Sequence, residues 1–191
     1  MRRGLRLTFN APVTLWFVFF CCAATFLGPF TGGKTDEMLF MTYHSSLSDP
    51  LTFVRFFTHV MGHSGWEHFI SNASYLLLLG PMLEEKHGSS RILGVILITA
   101  LITGLVNYFF FPAVALRGAS SVVFAFILLT SFTGFREGEI PVSFLLVAAI
   151  FLGQQVYEGL VLHDDVSNLS HIIGGLVGAV LGYELNKRGR R

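Results

Sequence analysis

Six apolar runs dominate this chain, near residues 12–30, 68–83, 91–111, 118–133, 140–157 and 169–185. Several approach the ~20 apolar residues that a helix needs to cross a bilayer. Charged side chains make up 13% of the 191 residues, about half the roughly 25% usual in soluble domains. The expected fold is therefore an all-α polytopic membrane protein: one domain over residues 1–191, with six transmembrane helices. A formal net charge of +1 points away from any nucleic-acid partner.

The first run has a basic start, MRRGLRLTFNAPVTLWFVFFCCAATFLGPF, as a signal peptide does. No small-x-small pattern closes it and further spans follow, so it reads as the first transmembrane helix. Cys21 and Cys22 are adjacent inside that run and are the only cysteines. They read as small span residues, not as a disulfide framework or a thiolate site. Six spans put both termini on one side. With the termini inside, the inner segments hold Arg2, Arg3, Arg6, Lys86, Arg91, Arg136, Lys187, Arg188, Arg190 and Arg191, and the outer ones hold only Lys34, Arg55 and Arg117. This bias places both termini in the cytoplasm.

The first, third and fifth spans are long and nearly all apolar, which suits contact with lipid. The second, fourth and sixth are shorter and carry His, Asn, Ser and Gly. Polar groups at membrane depth normally face the bundle interior, so the even-numbered spans are expected to form the core. All three run from outside to inside. His68 and Asn72 begin the second, Ser120 the fourth and His171 the sixth, so four hydrogen-bonding side chains converge on one layer near the outer leaflet. Residues 31–67 make a long outer loop, well beyond the usual connection length. Its aromatic, partly basic stretch LTFVRFFTHVMGHSGWEH is expected in the headgroup zone.

The sixth span, SHIIGGLVGAVLGYE, spaces His171, Gly174, Gly178 and Gly182 by 3, 4 and 4 residues, which puts them on one helix face. Such a glycine face lets a neighbouring helix approach closely, near enough for a side chain to reach the imidazole at its top. The alternative is that the glycines only pack and His171 bonds a loop carbonyl. The fourth span opens with GASS. Ser120, paired with His171, is the candidate nucleophile, while Ser121 reads as a back-bond to its own helix or a cap. His68 and Asn72, at i and i+4, could hold a developing oxyanion or simply serve as an interhelical hydrogen-bonded pair. His59 and His63 share the same spacing, and such histidines can bind Zn²⁺. The HExxH order is missing, so bracing of the loop against the bundle is the favoured reading, and neither metal nor cofactor is expected. Asp165 precedes His171 by six residues, about 9 Å along a helix axis, which disfavours a Ser-His-Asp triad and favours a dyad.

From about residue 55 onward these motifs, in this order, resemble the rhomboid family of intramembrane serine proteases. RFFTHVMGHSGWEHFISN is similar to the family's loop and second-span signature, with Arg55, His59, His63, His68 and Asn72 in register. LGPMLEEKHGS resembles the following turn and aligns Gly80, Glu84 and Gly88. GASS stands where the family has GxSG, giving Gly118 its place and Ser120 the nucleophile position. SHIIGGLVG resembles AHxxGxxxG, giving His171 the base position with Gly174 and Gly178 behind it. Three positions depart from the pattern. Ser121 replaces the Gly that usually follows the nucleophile. Phe124 replaces the common Tyr one turn below it, keeping a ring to pack on His171. Val54 stands where a Trp often precedes the loop arginine.

The resemblance implies a six-helix rhomboid-like bundle with a long outer loop between helices 1 and 2. It implies a serine endopeptidase that cuts single-span membrane proteins within or near their transmembrane segment. Its partners would be transmembrane substrates and the lipid bilayer. Substrate access is implied past the second and fifth spans, with the loop after the fifth as a cap and GQQVYEG at 153–159 beside it. The alternative is a rhomboid-like protein that binds transmembrane clients without cutting them. The small size points to a multi-pass protein of a bacterial plasma membrane.

Overall fold

Proline and glycine punctuate the chain into seven α-helices in the computed structural model, which describes residues 8–131, 141–162 and 165–188. Within 151–168 only the side chains of Gly153 and Tyr157 are described, and those of 186–188 are not. The helices are α1 (Pro12–Phe30), α2 (Pro50–Thr58), α3 (Trp66–His87), α4 (Ser89–Phe110), α5 (Ser120–Ser131), α6 (Val142–Leu162) and α7 (Asp165–Arg188). A helix lies over each of the six predicted apolar runs. Two of them, α1 and α4, are long and apolar enough to cross a membrane. The termini, Arg136 and the stretch His163–Asp164 fall outside the described residues, as does the side chain of Asp165. The basic-residue bias and the capping loop lie largely there.

Helix α1 begins with Pro12, whose fixed φ and missing N–H suit a first helical position. The next two N–H groups have no acceptor within the helix. Glu84 of α3 supplies one: Val13 N donates to Oε2 at 3.2 Å and Thr14 N to Oε1 at 2.6 Å. This carboxylate also meets the positive end of the α1 dipole. Glu84 therefore clamps α1 to α3, far along α3 from His68 and Asn72. Replacing Glu84 by Ala should lower stability by about 1–2 kcal/mol, the scale of a lost cap with its dipole contact. Thermal unfolding in detergent or bicelles measures this, and a midpoint equal to that of the unaltered protein would refute the clamp.

Helix α5 lies at the centre and packs on α7, α3, α4 and α6. Val122, Ala125, Phe126 and Leu129 of α5 are fully buried. The outer face of the bundle is apolar instead: Trp16, Phe19 and Phe20 of α1, Leu77 and Leu78 of α3, and Leu145, Leu146 and Ile150 of α6 are exposed. An apolar exterior on several helices suits a lipid surround and not water.

Four expectations are refined. Helix α4 is exposed on one side only: half of its most apolar window is buried. Thr99, Thr103, Gly104 and Asn107 all point inward, because the outer loop and α7 both pack on it. Ser120 begins the fourth span as expected, and the apolar run from residue 118 is shortened there because Gly118 has φ +133°, outside any right-handed helix. His171 does not begin its helix; α7 starts at Asp165 and carries the imidazole nearly two turns in. The stretch 31–67 is also more ordered than a plain loop, since it holds α2, a π-helical turn at Asp36–Phe40 and a 3₁₀ turn at His59–Met61.

Candidate active site

The close approach of α5 and α7 follows from two missing side chains. A Cβ on Gly174 would run into the backbone carbonyl of Ser121, and one on Gly178 into that of Ala125. With hydrogens there instead, α7 rests on the backbone of α5 and brings its imidazole to the serine one residue before that contact. His171 Nε2 lies 2.8 Å from Ser120 Oγ, within the reach a nucleophile–base pair requires. The Phe124 ring stacks on the imidazole at 4.5 Å between centroids and 26° between planes, so the ring that departs from the family pattern still supports the histidine. Ser121 is buried.

Ser120 and His171 open into a cavity of about 400 Å³ that is also lined by His68, Asn72, Tyr75 and Arg117. Asn72 is buried, and its Nδ2 has no hydrogen-bond acceptor among the described residues. A buried donor without an acceptor costs free energy, and here it is available to an oxygen that arrives in the cavity. His68 Nδ1 lies 3.1 Å from Ser64 Oγ. The Cβ position left empty at Gly118 is 3.1 Å from His68 Nε2 and 3.7 Å from Ser120 Oγ. Imidazole and hydroxyl thus flank one spot, which glycine keeps clear. Ser120 is also the first residue of α5, where a backbone N–H has no acceptor within its helix.

The loop before Ser120 is strapped down from three directions. Thr42 and Leu116 exchange two backbone hydrogen bonds of 2.9 Å each, and Gly118 N donates to His59 O at 3.0 Å. Arg117 Nη1 donates to Asp36 Oδ2 at 3.0 Å. Asn107 of α4 adds Nδ2 bonds of 3.1 Å to Thr42 O and Val114 O. The bracing expected of the outer-loop histidines is visible. His59 is fully buried, with Nδ1 donating to Arg55 O at 3.1 Å and Nε2 3.3 Å from Thr103 Oγ1 of α4. Burial pushes its pKa down to about 4. His63 donates from Nδ1 to Met61 O at 3.1 Å. Its pKa is likewise pushed down to about 4, chiefly by burial, with His68 and Arg117 adding to the effect. Both are neutral hydrogen-bonding struts near pH 7. No group of three or more His, Cys, Asp or Glu among the described residues is arranged to hold a metal ion.

Arg55 belongs to the loop and not to the cavity. It is buried, with Nη2 3.0 Å from each of Asp49 Oδ2, Ser45 Oγ and Thr52 Oγ1, and with its guanidinium 4.7 Å from the centre of the Tyr43 ring. Glu84 serves α1, as above. The structure thus brings Ser120, His171, His68, Asn72, Gly118 and Phe124 together, sets Gly174 and Gly178 behind them, and leaves Arg55 and Glu84 at a distance as supports. No motif in the sequence marks Asp36, Thr42, Ser64 or Tyr75, and Arg117 stands out there only as an outer charge. The position of Arg117 three residues before the candidate nucleophile was the one signal available.

A protein-family model described as Rhomboid domain matches residues 50–188. The match covers every residue of the cavity named above and excludes α1 and the Asp36 turn.

Proposed function

Because the chain belongs to the rhomboid family, a membrane family whose members are generally serine proteases, we propose that it is an intramembrane serine endopeptidase working through a Ser120–His171 dyad. The observation that carries this reading is the 2.8 Å contact between Ser120 Oγ and His171 Nε2 at the wall of a cavity. In the proposed reaction, neutral His171 takes the Ser120 proton at Nε2 while Oγ attacks a peptide carbonyl carbon. The carbonyl oxygen becomes an oxyanion beside the spot kept open by Gly118. His68 donates from Nε2, Asn72 from Nδ2 and Ser120 from its backbone N–H. His171 then returns the proton to the departing amine. Water, activated by the same imidazole, releases the acyl group from Ser120.

The Ser64 hydroxyl has a part in this. In a neutral His68 that donates from Nε2, Nδ1 is the acceptor, and Ser64 Oγ, 3.1 Å away, is placed to donate to it. The dyad needs no carboxylate in this scheme. Phe124 holds the plane of His171 by stacking.

The substrate in this reading is a single-span membrane protein, cut within or near its membrane segment. An extended peptide is needed at Ser120, so the substrate helix must unwind there. The proposed topology has six spans formed by α1, α3, α4, α5, α6 and α7, with both termini on the cytoplasmic face of a bacterial plasma membrane. Residues 1–191 would act as one domain. The outer loop with α2 would lie against the headgroups, where exposed Phe53, Val54 and Phe57 meet the interface.

Labelling by a fluorophosphonate, which reports a nucleophilic serine, separates this reading from that of a non-cleaving binding protein. Labelling that vanishes in Ser120→Ala is the expected result, and a chain that takes no label fits the binding protein. The two side-chain oxyanion donors give a graded expectation. His68→Ala and Asn72→Ala should each reduce kcat by about 10²–10³, with KM changed far less, because the donors act chiefly on the charge that develops in the transition state. Equal kcat in either variant would remove that side chain from the scheme.

A further inference from the structure

Arg117 sits on the cavity wall with Ser120 and His171, yet the scheme above gives it no task. Among the described residues lining that cavity it is the one side chain with a permanent charge. Its only hydrogen bond among the described residues is the 3.0 Å contact from Nη1 to Asp36 Oδ2. The other Asp36 oxygen, Oδ1, is buried without a partner among the described residues, so the pair is single and not a two-pronged fork. A guanidinium carries five N–H donors in one plane, and this contact engages one side of it.

Asp36 is itself buried. Its carboxylate packs on Gly28 of α1, where a Cβ would stand 2.9 Å from Oδ2. The guanidinium is therefore paired with a buried carboxylate while its side chain stays 29% exposed on the cavity wall.

We propose that Arg117 is a specificity-determining residue that favours substrates carrying a carboxylate side chain close to the scissile bond. This rests on the reading of Ser120 as the nucleophile. Arg117 lies three residues before Ser120, so an extended peptide with its carbonyl at Ser120 Oγ passes the guanidinium within a few residues of the cut. A planar fork of donors recognises a carboxylate better than it does a neutral amide, and it repels an ammonium group.

The test uses the full chain in proteoliposomes with single-span substrates that differ only in Asp, Asn or Lys at one position, moved stepwise across the residues flanking the cut. At one of these positions Asp should exceed Asn in kcat/KM by about fivefold, the scale of a partly screened charge pair, and Lys should fall below Asn. In Arg117→Gln the Asp/Asn ratio should drop to about one, and a ratio taken within one variant is insensitive to a general loss of folded enzyme. Should that variant not fold, raising the salt concentration with the unaltered protein should lower the same ratio. Equal rates for Asp and Asn at every position overturn the proposal alone, as does a preference that survives Arg117→Gln or that ignores salt. No Ser120-dependent cleavage of any substrate overturns the proteolytic reading and this proposal together.

Discussion

Ser120→Ala and His171→Ala each reduce cleavage of a membrane substrate by at least about 10³-fold, and the double variant is no worse than either single one. That is the expected result, and its second half is the more informative. Nucleophile and base act as one unit, so once either is gone the other contributes nothing further, and the losses do not add. The 2.8 Å bond between Oγ and Nε2 is the physical reason. A His171 that acted only as a helix cap or a strut would give a smaller, independent loss, and the two effects would multiply. Measured kcat/KM for the two single variants and the double variant, each shown to be folded by thermal unfolding, distinguishes these outcomes.

The second large effect concerns Gly174, which touches no reacting atom. A Cβ at this position collides with the Ser121 backbone, and backbone inside a central helix cannot move aside as a flexible side chain can. Gly174→Ala must therefore push α7 away from α5 and lengthen the dyad contact. A displacement of about 1 Å at a reacting pair can cost about 10² in rate, so activity should fall by that order, and fluorophosphonate labelling of Ser120 with it. The control is Gly94→Ala in α4, where a Cβ meets nothing within 4 Å, and it should leave both measurements unchanged. Full activity in Gly174→Ala would mean that the glycine face does not set the approach of the helices.

The legible part of the fold was what depends on periodicity and composition. The apolar runs marked the helices, and the spacing of His171, Gly174 and Gly178 marked one face of α7 before the packing of that face was visible. The pairing of Ser120 with His171 followed, because small residues on both segments leave few other faces able to meet. The straps of the outer segment were not legible. Asp36 meets Arg117 across 81 positions of sequence, and Thr42 meets Leu116 through backbone atoms alone, which no side-chain pattern records. Glu84 was aligned by resemblance, but its task as the cap of α1 depends on a contact 70 positions away. The buried side of α4 was not legible for a related reason. Its uniform hydropathy hid the inward Thr99, Thr103 and Asn107, and a helix buried on one side and in lipid on the other is apolar all round.

The central claim is that a hydroxyl is made nucleophilic where α5 and α7 touch. Reaction of the membrane-embedded protein with a fluorophosphonate, followed by peptide mass mapping of the adduct, tests it most directly. The expected result is one phosphonyl adduct, on Ser120, formed in the unaltered protein and at least about 10²-fold more slowly in His171→Ala. An adduct on another residue, or labelling of Ser120 at an undiminished rate without His171, would contradict it.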